Sequence, residues 1–148
     1  MSLHIEQRET DGIVVLDLNG PLTFGQGDVE LRGSLTALHR SGKARIVLNL
    51  KEVSDIDSTG LGMLVFGLAR LRKAGGRLAL VNLNRSHLEL FLLTKLAIAF
   101  EFFDDEQDAV NSFFPDRELK HYDILDFVQN EEGGNFDHDA RAAQPVSR

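Results

Sequence analysis

The sequence predicts one α/β domain built on a mixed, largely parallel sheet. Three observations carry this reading. The pair Asp11-Gly12 sits between two short alternating segments, as in an opening β-hairpin. Beyond it, apolar runs alternate with leucine stripes at helical spacing, the pattern of strand–helix–strand units. A length of 148 residues suits one hydrophobic core and is short for two.

The elements follow in chain order. Leu3, Ile5 and Gln7 alternate with His4, Glu6 and Arg8, which predicts a half-buried edge strand. Ile13 to Asn19 is the return strand, ended by Gly20-Pro21. A loop from Leu22 to Gly27 leads to a helix with Leu31, Leu35 and Leu38 on one face, closed by Gly42. Phe24 in that loop reads first as a core residue, with partner contact as the alternative. Arg45 to Leu50 is the third strand, and Lys51 to Ile56 a connection out of it. The next helix, to about Ala74, carries the stripe Leu61, Leu64, Val65, Leu68 and Leu71. Met63 and Phe66 lie off that stripe, toward Arg70. Packing against a neighbouring helix is their plain reading; a partner-binding face is the sharper one. Arg70, Arg72, Lys73 and Arg77 gather where the helix ends at Gly75-Gly76, and complement its dipole. Leu78 to Val81 is the fourth strand. Ser86-His87-Leu88-Glu89 has the form of a capping box, with His87 on the solvent side of the helix that follows. Ile98, Phe100 and Phe102 alternate as a fifth strand, and Asp104-Asp105 precedes a last helix with Ala109, Val110 and Phe113.

Pro115 ends the compact part, which gives a domain over residues 1–115 and a tail over 116–148. The tail holds eight acidic and four basic residues, and from Gly133 it reads as disordered. Its exception is the island Ile124, Leu125, Phe127 and Val128, a possible docking segment at 121–129 for its own domain, a second copy or a partner.

Composition excludes several classes. The formal net charge of -7 opposes non-specific nucleic-acid binding. With no cysteine there are no disulfides or thiolate metal sites, and the five histidines show no zinc spacing. No apolar stretch reaches the ~18 residues of a membrane span, and no signal sequence opens the chain. The expectation is a cytoplasmic protein that contacts neither nucleic acid nor membrane.

Function points to Val53-Ser54-Asp55-Ile56-Asp57-Ser58-Thr59-Gly60-Leu61-Gly62, where a strand hands over to a helix. A helix start offers free N–H groups and the positive dipole end, so it tolerates a carboxylate or a phosphate. Ser58 or Asp57 is a natural N-cap. Capping alone does not explain Gly60 and Gly62 in the first turn, where glycine costs ~1 kcal/mol relative to alanine in a helix interior. Glycines there strip side chains from around the hydroxyl, so a large partner can approach Ser58.

Asp57-Ser58-Thr59-Gly60-Leu61-Gly62 resembles the signature of STAS domains, the fold shared by anti-sigma factor antagonists and the cytoplasmic ends of sulfate transporters. The resemblance covers roughly residues 3 to 114. It implies a non-enzymatic binding module without a cofactor, in which Ser58 is phosphorylated by a partner anti-sigma factor Ser/Thr kinase. Thr59 is the secondary acceptor, and Asp55, Asp57, Gly60 and Gly62 shape the site. Gly62, Met63, Phe66, Thr23 and Phe24 are its candidate partner contacts. A PP2C-type phosphatase would reset it, and a homodimer through the C-terminal segment is possible. Many antagonists carry an acid where this chain has Thr23, a departure that bears on how the kinase is met.

Two other readings use the same residues. STAS modules also act as scaffold subunits in stress-signalling assemblies and as small partners of lipid-transport ATPases. Separately, Asp55-Ile56-Asp57-Ser58-Thr59 matches the DxDxT motif of haloacid dehalogenase-like phosphatases, in which both acids serve Mg²⁺. Asp104-Asp105 and Lys95 would complete that set. The third strand, expected to stop at Leu50, ends short of Asp55, where that family places its nucleophile at the strand end.

Overall fold

The computed structural model describes residues 2–116. The tail and its segment at 121–129 lie outside the described residues. The strands are β1 (His4–Thr10), β2 (Ile13–Leu22), β3 (Arg45–Ile56), β4 (Arg77–Val81) and β5 (Glu101–Phe103). The helices are α1 (Gly27–Arg40), α2 (Ser58–Lys73), α3 (Arg85–Leu93) and α4 (Glu106–Asn111). The five strands form one sheet in sequence order, with β1 antiparallel to β2 and every later neighbour parallel. The expected mixed α/β architecture is therefore present, and β1 is an edge. Asp11 and Gly12 both adopt positive φ, 55° and 81°, as a two-residue type I′ hairpin requires.

Each parallel crossover adds the next strand on the same side, so α1, α2 and α3 stack on one sheet face. Leu31, Leu35 and Leu38 of α1, Leu64 and Leu68 of α2, and Leu88 and Phe91 of α3 bury against Val14, Leu16, Ile46, Leu48 and Leu80. Phe91 meets Phe100 and Phe102 edge-on, with ring centroids 5.3 and 5.2 Å apart. On the opposite face Ala109 and Val110 of α4 cover Ile13, Val15, Val47 and Val81. With both faces covered, Ile13 to Leu16 are all buried, which is why β2 reads as a continuous apolar run. Above α4, Arg8 binds Asp17 (2.6 and 2.9 Å) and Glu106 (2.6 and 2.8 Å) through paired bonds, joining β1, β2 and α4.

Several expectations are corrected. β3 runs to Ile56 rather than ending at Leu50, because its second half pairs with the end of β2: Asn19 faces Glu52 and Leu22 faces Ile56. Pairing of β3 with β4 stops at Asn49 and Val81, so the far half of β2–β3 overhangs the sheet. β5 begins at Glu101, leaving Ile98 94% exposed in the loop before it. In α2 Met63 is buried and Val65 exposed. α2 packs sideways on α1, where Gly67 meets Leu35 and Phe66 meets Arg32, so its buried arc extends from the leucine stripe toward α1 and leaves Val65 on the other side exposed. α3 is capped by Asn84, whose side chain accepts from His87 N–H (2.8 Å), so Ser86 lies inside the helix and no capping box forms there.

His87, expected toward solvent, is 5% exposed, and its Nδ1 has no bonding partner among the described residues. Burial pushes its pKa below the ordinary 6.5, opposed in part by the charge of Asp55. The unfolded chain protonates at the ordinary value before the folded one does. Stability is therefore expected to be complete above about pH 6.5 and to fall as pH drops toward the folded value. His87→Phe should remove this dependence, as read from urea midpoints between about pH 7.5 and 5.

Candidate functional site

The overhang brings two chain ends together. β2 ends at Leu22 and β3 at Ile56, paired with each other, so the loops that follow them are neighbours. Asp57 ties them. It is the N-cap of α2, in extended geometry, and its Oδ1 accepts from Gly60 N–H (2.8 Å). Its Oδ2 accepts from Phe24 N–H (3.0 Å), across 33 residues of sequence. The N–H of Asp57 donates to the Leu22 carbonyl (3.4 Å). Thr23 is held in the same loop, where its carbonyl accepts from Asp28 N–H (3.2 Å).

These bonds hold the Asp57 carboxyl below the usual carboxylate range, first through Gly60 and then through Phe24. A lowered folded pKa gives a contribution present above the unfolded pKa and lost as pH falls through the folded one. Asp57→Asn is expected to keep the bond from Gly60 and lose that from Phe24, because an amide nitrogen cannot accept. The gap between wild-type and variant urea midpoints should be widest near neutral pH and narrow with acidification.

Ser58 is the first residue of α2 and is exposed. No hydrogen bond among the described residues engages its hydroxyl. Thr59 is half-buried, and Asp55 is exposed at the end of β3. The two glycines divide. Gly60 is buried against the end of β2, where a Cβ would run into the Leu22 carbonyl oxygen and lie 2.8 Å from its carbon. Gly62 is exposed, and a Cβ there meets nothing within 4 Å. Gly60 thus serves internal packing, and only Gly62 leaves backbone open beside Ser58.

The expected contact residues also separate. Phe24, expected in the core, is 76% exposed, because the bond to Asp57 holds its backbone at the rim of the site. Met63 is core and unavailable to a partner. Phe66 packs partly against the core, as the plain reading expected, and lies between Arg32 of α1 (5.2 Å) and Arg70 (5.5 Å). Val29 (61% exposed) and Val65 add apolar surface to the outer sides of α1 and α2. The sequence contained a signal for Val29, which falls on the side of α1 opposite the stripe of Leu31, Leu35 and Leu38.

The phosphatase alternative gains one element and loses another. Asp55 does stand at the strand end. Asp57, however, commits both carboxylate oxygens to backbone N–H groups. Among the described residues no group of three or more His, Asp or Glu is arranged to hold a metal ion. No helix among them is long and apolar enough to cross a membrane.

Comparison with known proteins agrees with this geometry. The family model described as STAS domain matches residues 4–109. An anti-sigma F factor antagonist of Paenibacillus polymyxa is 27% identical over 110 residues, covering 74% of this chain and 94% of that protein. An anti-sigma-B factor antagonist of Bacillus subtilis (strain 168) is 32% identical over 96 residues, covering 65% and 86%. The crystal structure of an anti-sigma factor antagonist from Mycobacterium paratuberculosis superposes with a TM-score of 0.65 at 21% identity, covering 75% of this chain and 93% of that one, a likeness of fold. The ordered sheet, the helix start at Asp57-Ser58 and the match over residues 4–109 lead to one assignment: the chain belongs to the STAS domain family.

Proposed function

We propose that the protein is an anti-sigma factor antagonist, a binding module switched by phosphorylation of Ser58. The observation that carries this is a serine hydroxyl, exposed and without a hydrogen bond among the described residues, at the first position of a helix whose cap is a different residue. The kinase is the anti-sigma factor itself and supplies ATP and Mg²⁺. Ser58 Oγ attacks the γ-phosphorus, an O–P bond forms, the bond to ADP breaks, and the hydroxyl proton passes to the kinase. A PP2C-type phosphatase reverses the step by hydrolysis. This chain contributes the acceptor and no catalytic group.

The unmodified face suits a protein partner. Phe24 is an exposed apolar group beside the helix start, Val65 and Val29 add apolar surface farther along α2 and on α1, and Gly62 lets a partner backbone come close. Phosphate adds about -1.5 to -2 charges beside exposed Asp55. The N-terminus of α2 accommodates that charge within the domain, whereas an acidic or closely packed partner surface does not.

The test is phosphate mapping on protein purified from its native cells, with the co-purifying proteins identified. Expected are phosphate on Ser58, in a fraction that changes with growth conditions, and a Ser/Thr kinase among the captured partners. Protein that is unmodified under all conditions, captured with a sensor scaffold or a transport ATPase, would replace the antagonist reading with a constitutive subunit.

A further inference from the structure

One arginine joins the end of α4 to the start of β5. Arg77 donates to the Ser112 carbonyl (2.7 Å) and hydroxyl (3.0 Å) and pairs with Glu101. The ring of Phe113 lies 4.3 Å from the same guanidinium. The loop entering β5 is therefore close to where the chain leaves the described residues, just after Asp116. That stretch, from the end of α3 into β5, presents Leu93 (80% exposed) and Ile98 (94% exposed) to solvent. Lys95, exposed and left-handed at φ 63°, stands between them in the chain. Arg72 reaches the same loop and donates to the Ala99 carbonyl (3.0 Å). Among the described residues Lys95 forms no ion pair. Two large apolar side chains thus stand exposed in a loop that also carries Lys95 and is reached by Arg72, an arrangement that favours a cover.

We infer that residues 121–129 of the same chain dock on this surface. Reach, composition and charge select that occupant. From Asp116 to residue 121 the chain can span up to about 17 Å, enough to pass from the end of α4 to the neighbouring loop. Within 116–148, only Ile124-Leu125 and Phe127-Val128 set large apolar residues side by side. Asp123 and Asp126 are interleaved with them, complementary to Lys95 and Arg72. The surface precedes the amino end of β5, whereas Ser58 follows the carboxyl end of β3, parallel to it through β4. The docking is therefore independent of the Ser58 switch.

The test uses the full chain. Amides of residues 124–128 should exchange with solvent at least about tenfold more slowly than in Ile98→Asp, a substitution outside the core. Phe127→Ser should shift the Leu93 and Ile98 methyl resonances. Both effects should be independent of protein concentration. Equal exchange in wild-type and Ile98→Asp, with unmoved Leu93 methyls in Phe127→Ser, would overturn the inference. So would protection that grows with concentration alongside a doubled mass in sedimentation, which would assign the segment to a second copy.

Discussion

Ser58→Ala is expected to abolish phosphate incorporation by the cognate kinase without loss of stability. The distinction rests on the cap. Were Ser58 the N-cap of α2, its removal would cost about 1 kcal/mol. The cap is Asp57, and the Ser58 hydroxyl bonds no described residue, so the change should stay within about 0.5 kcal/mol. Intact mass after incubation with kinase and ATP reads the first effect, and a urea midpoint the second. Ser58→Asp adds one charge where phosphate adds nearly two, beside Asp55. It should weaken kinase binding by calorimetry within the ~5–150-fold span of common switches. Stoichiometric phosphate on Ser58→Ala would transfer the acceptor role to Thr59.

Gly60→Ala and Gly62→Ala should act in opposite directions although they lie two residues apart. At Gly60 the new methyl meets the Leu22 carbonyl, and main chain cannot swing aside as a side-chain tip can. The end of β2 must move from α2, with a cost of about 1–3 kcal/mol and loss of the Asp57 bond to Phe24. At Gly62 the methyl enters open space, and α2 gains the preference of alanine over glycine, up to ~1 kcal/mol. At the proposed interface the same methyl would stand in the path of the partner, so Gly62→Ala should be more stable and bind the kinase more weakly. Urea midpoints with calorimetric titration check the pair. A Gly60→Ala midpoint equal to wild type would refute the close approach, and unimpaired kinase binding by Gly62→Ala would remove that residue from the interface.

Most of the framework was readable because single elements carried unambiguous local signals. Asp11-Gly12 gave the hairpin, and the leucine spacings in α1 and α2 placed the crossovers. The helix start at Asp57-Ser58 was readable because an N-cap candidate stands directly before the leucine stripe of α2. What escaped depended on neighbours distant in sequence. Lys51, Glu52, Ser54 and Asp55 are exposed polar residues that look like a loop, and only pairing with Asn19 to Leu22 makes them strand. Phe24 looks like core by composition and is exposed because Asp57, far along the chain, holds its backbone. His87 looks solvent-facing because it is polar and lies in the first turn of a helix, yet the fold buries it. Ile98 continues the alternation of Phe100 and Phe102, but β5 begins only where β4 offers Ala79 as a partner for Glu101.

The overhang of β2 and β3 determines how a signal at Ser58 can be read. Both halves of the site ride on one paired ribbon, clamped by Asp57, with the crossover helices packed beneath the sheet. A phosphate on Ser58, as proposed, is then expected to leave that paired backbone in place. Under the proposed switch, modification would work as an inscription on that surface rather than as a lever, and discrimination between the two states would fall to the shape and charge of whatever reads it.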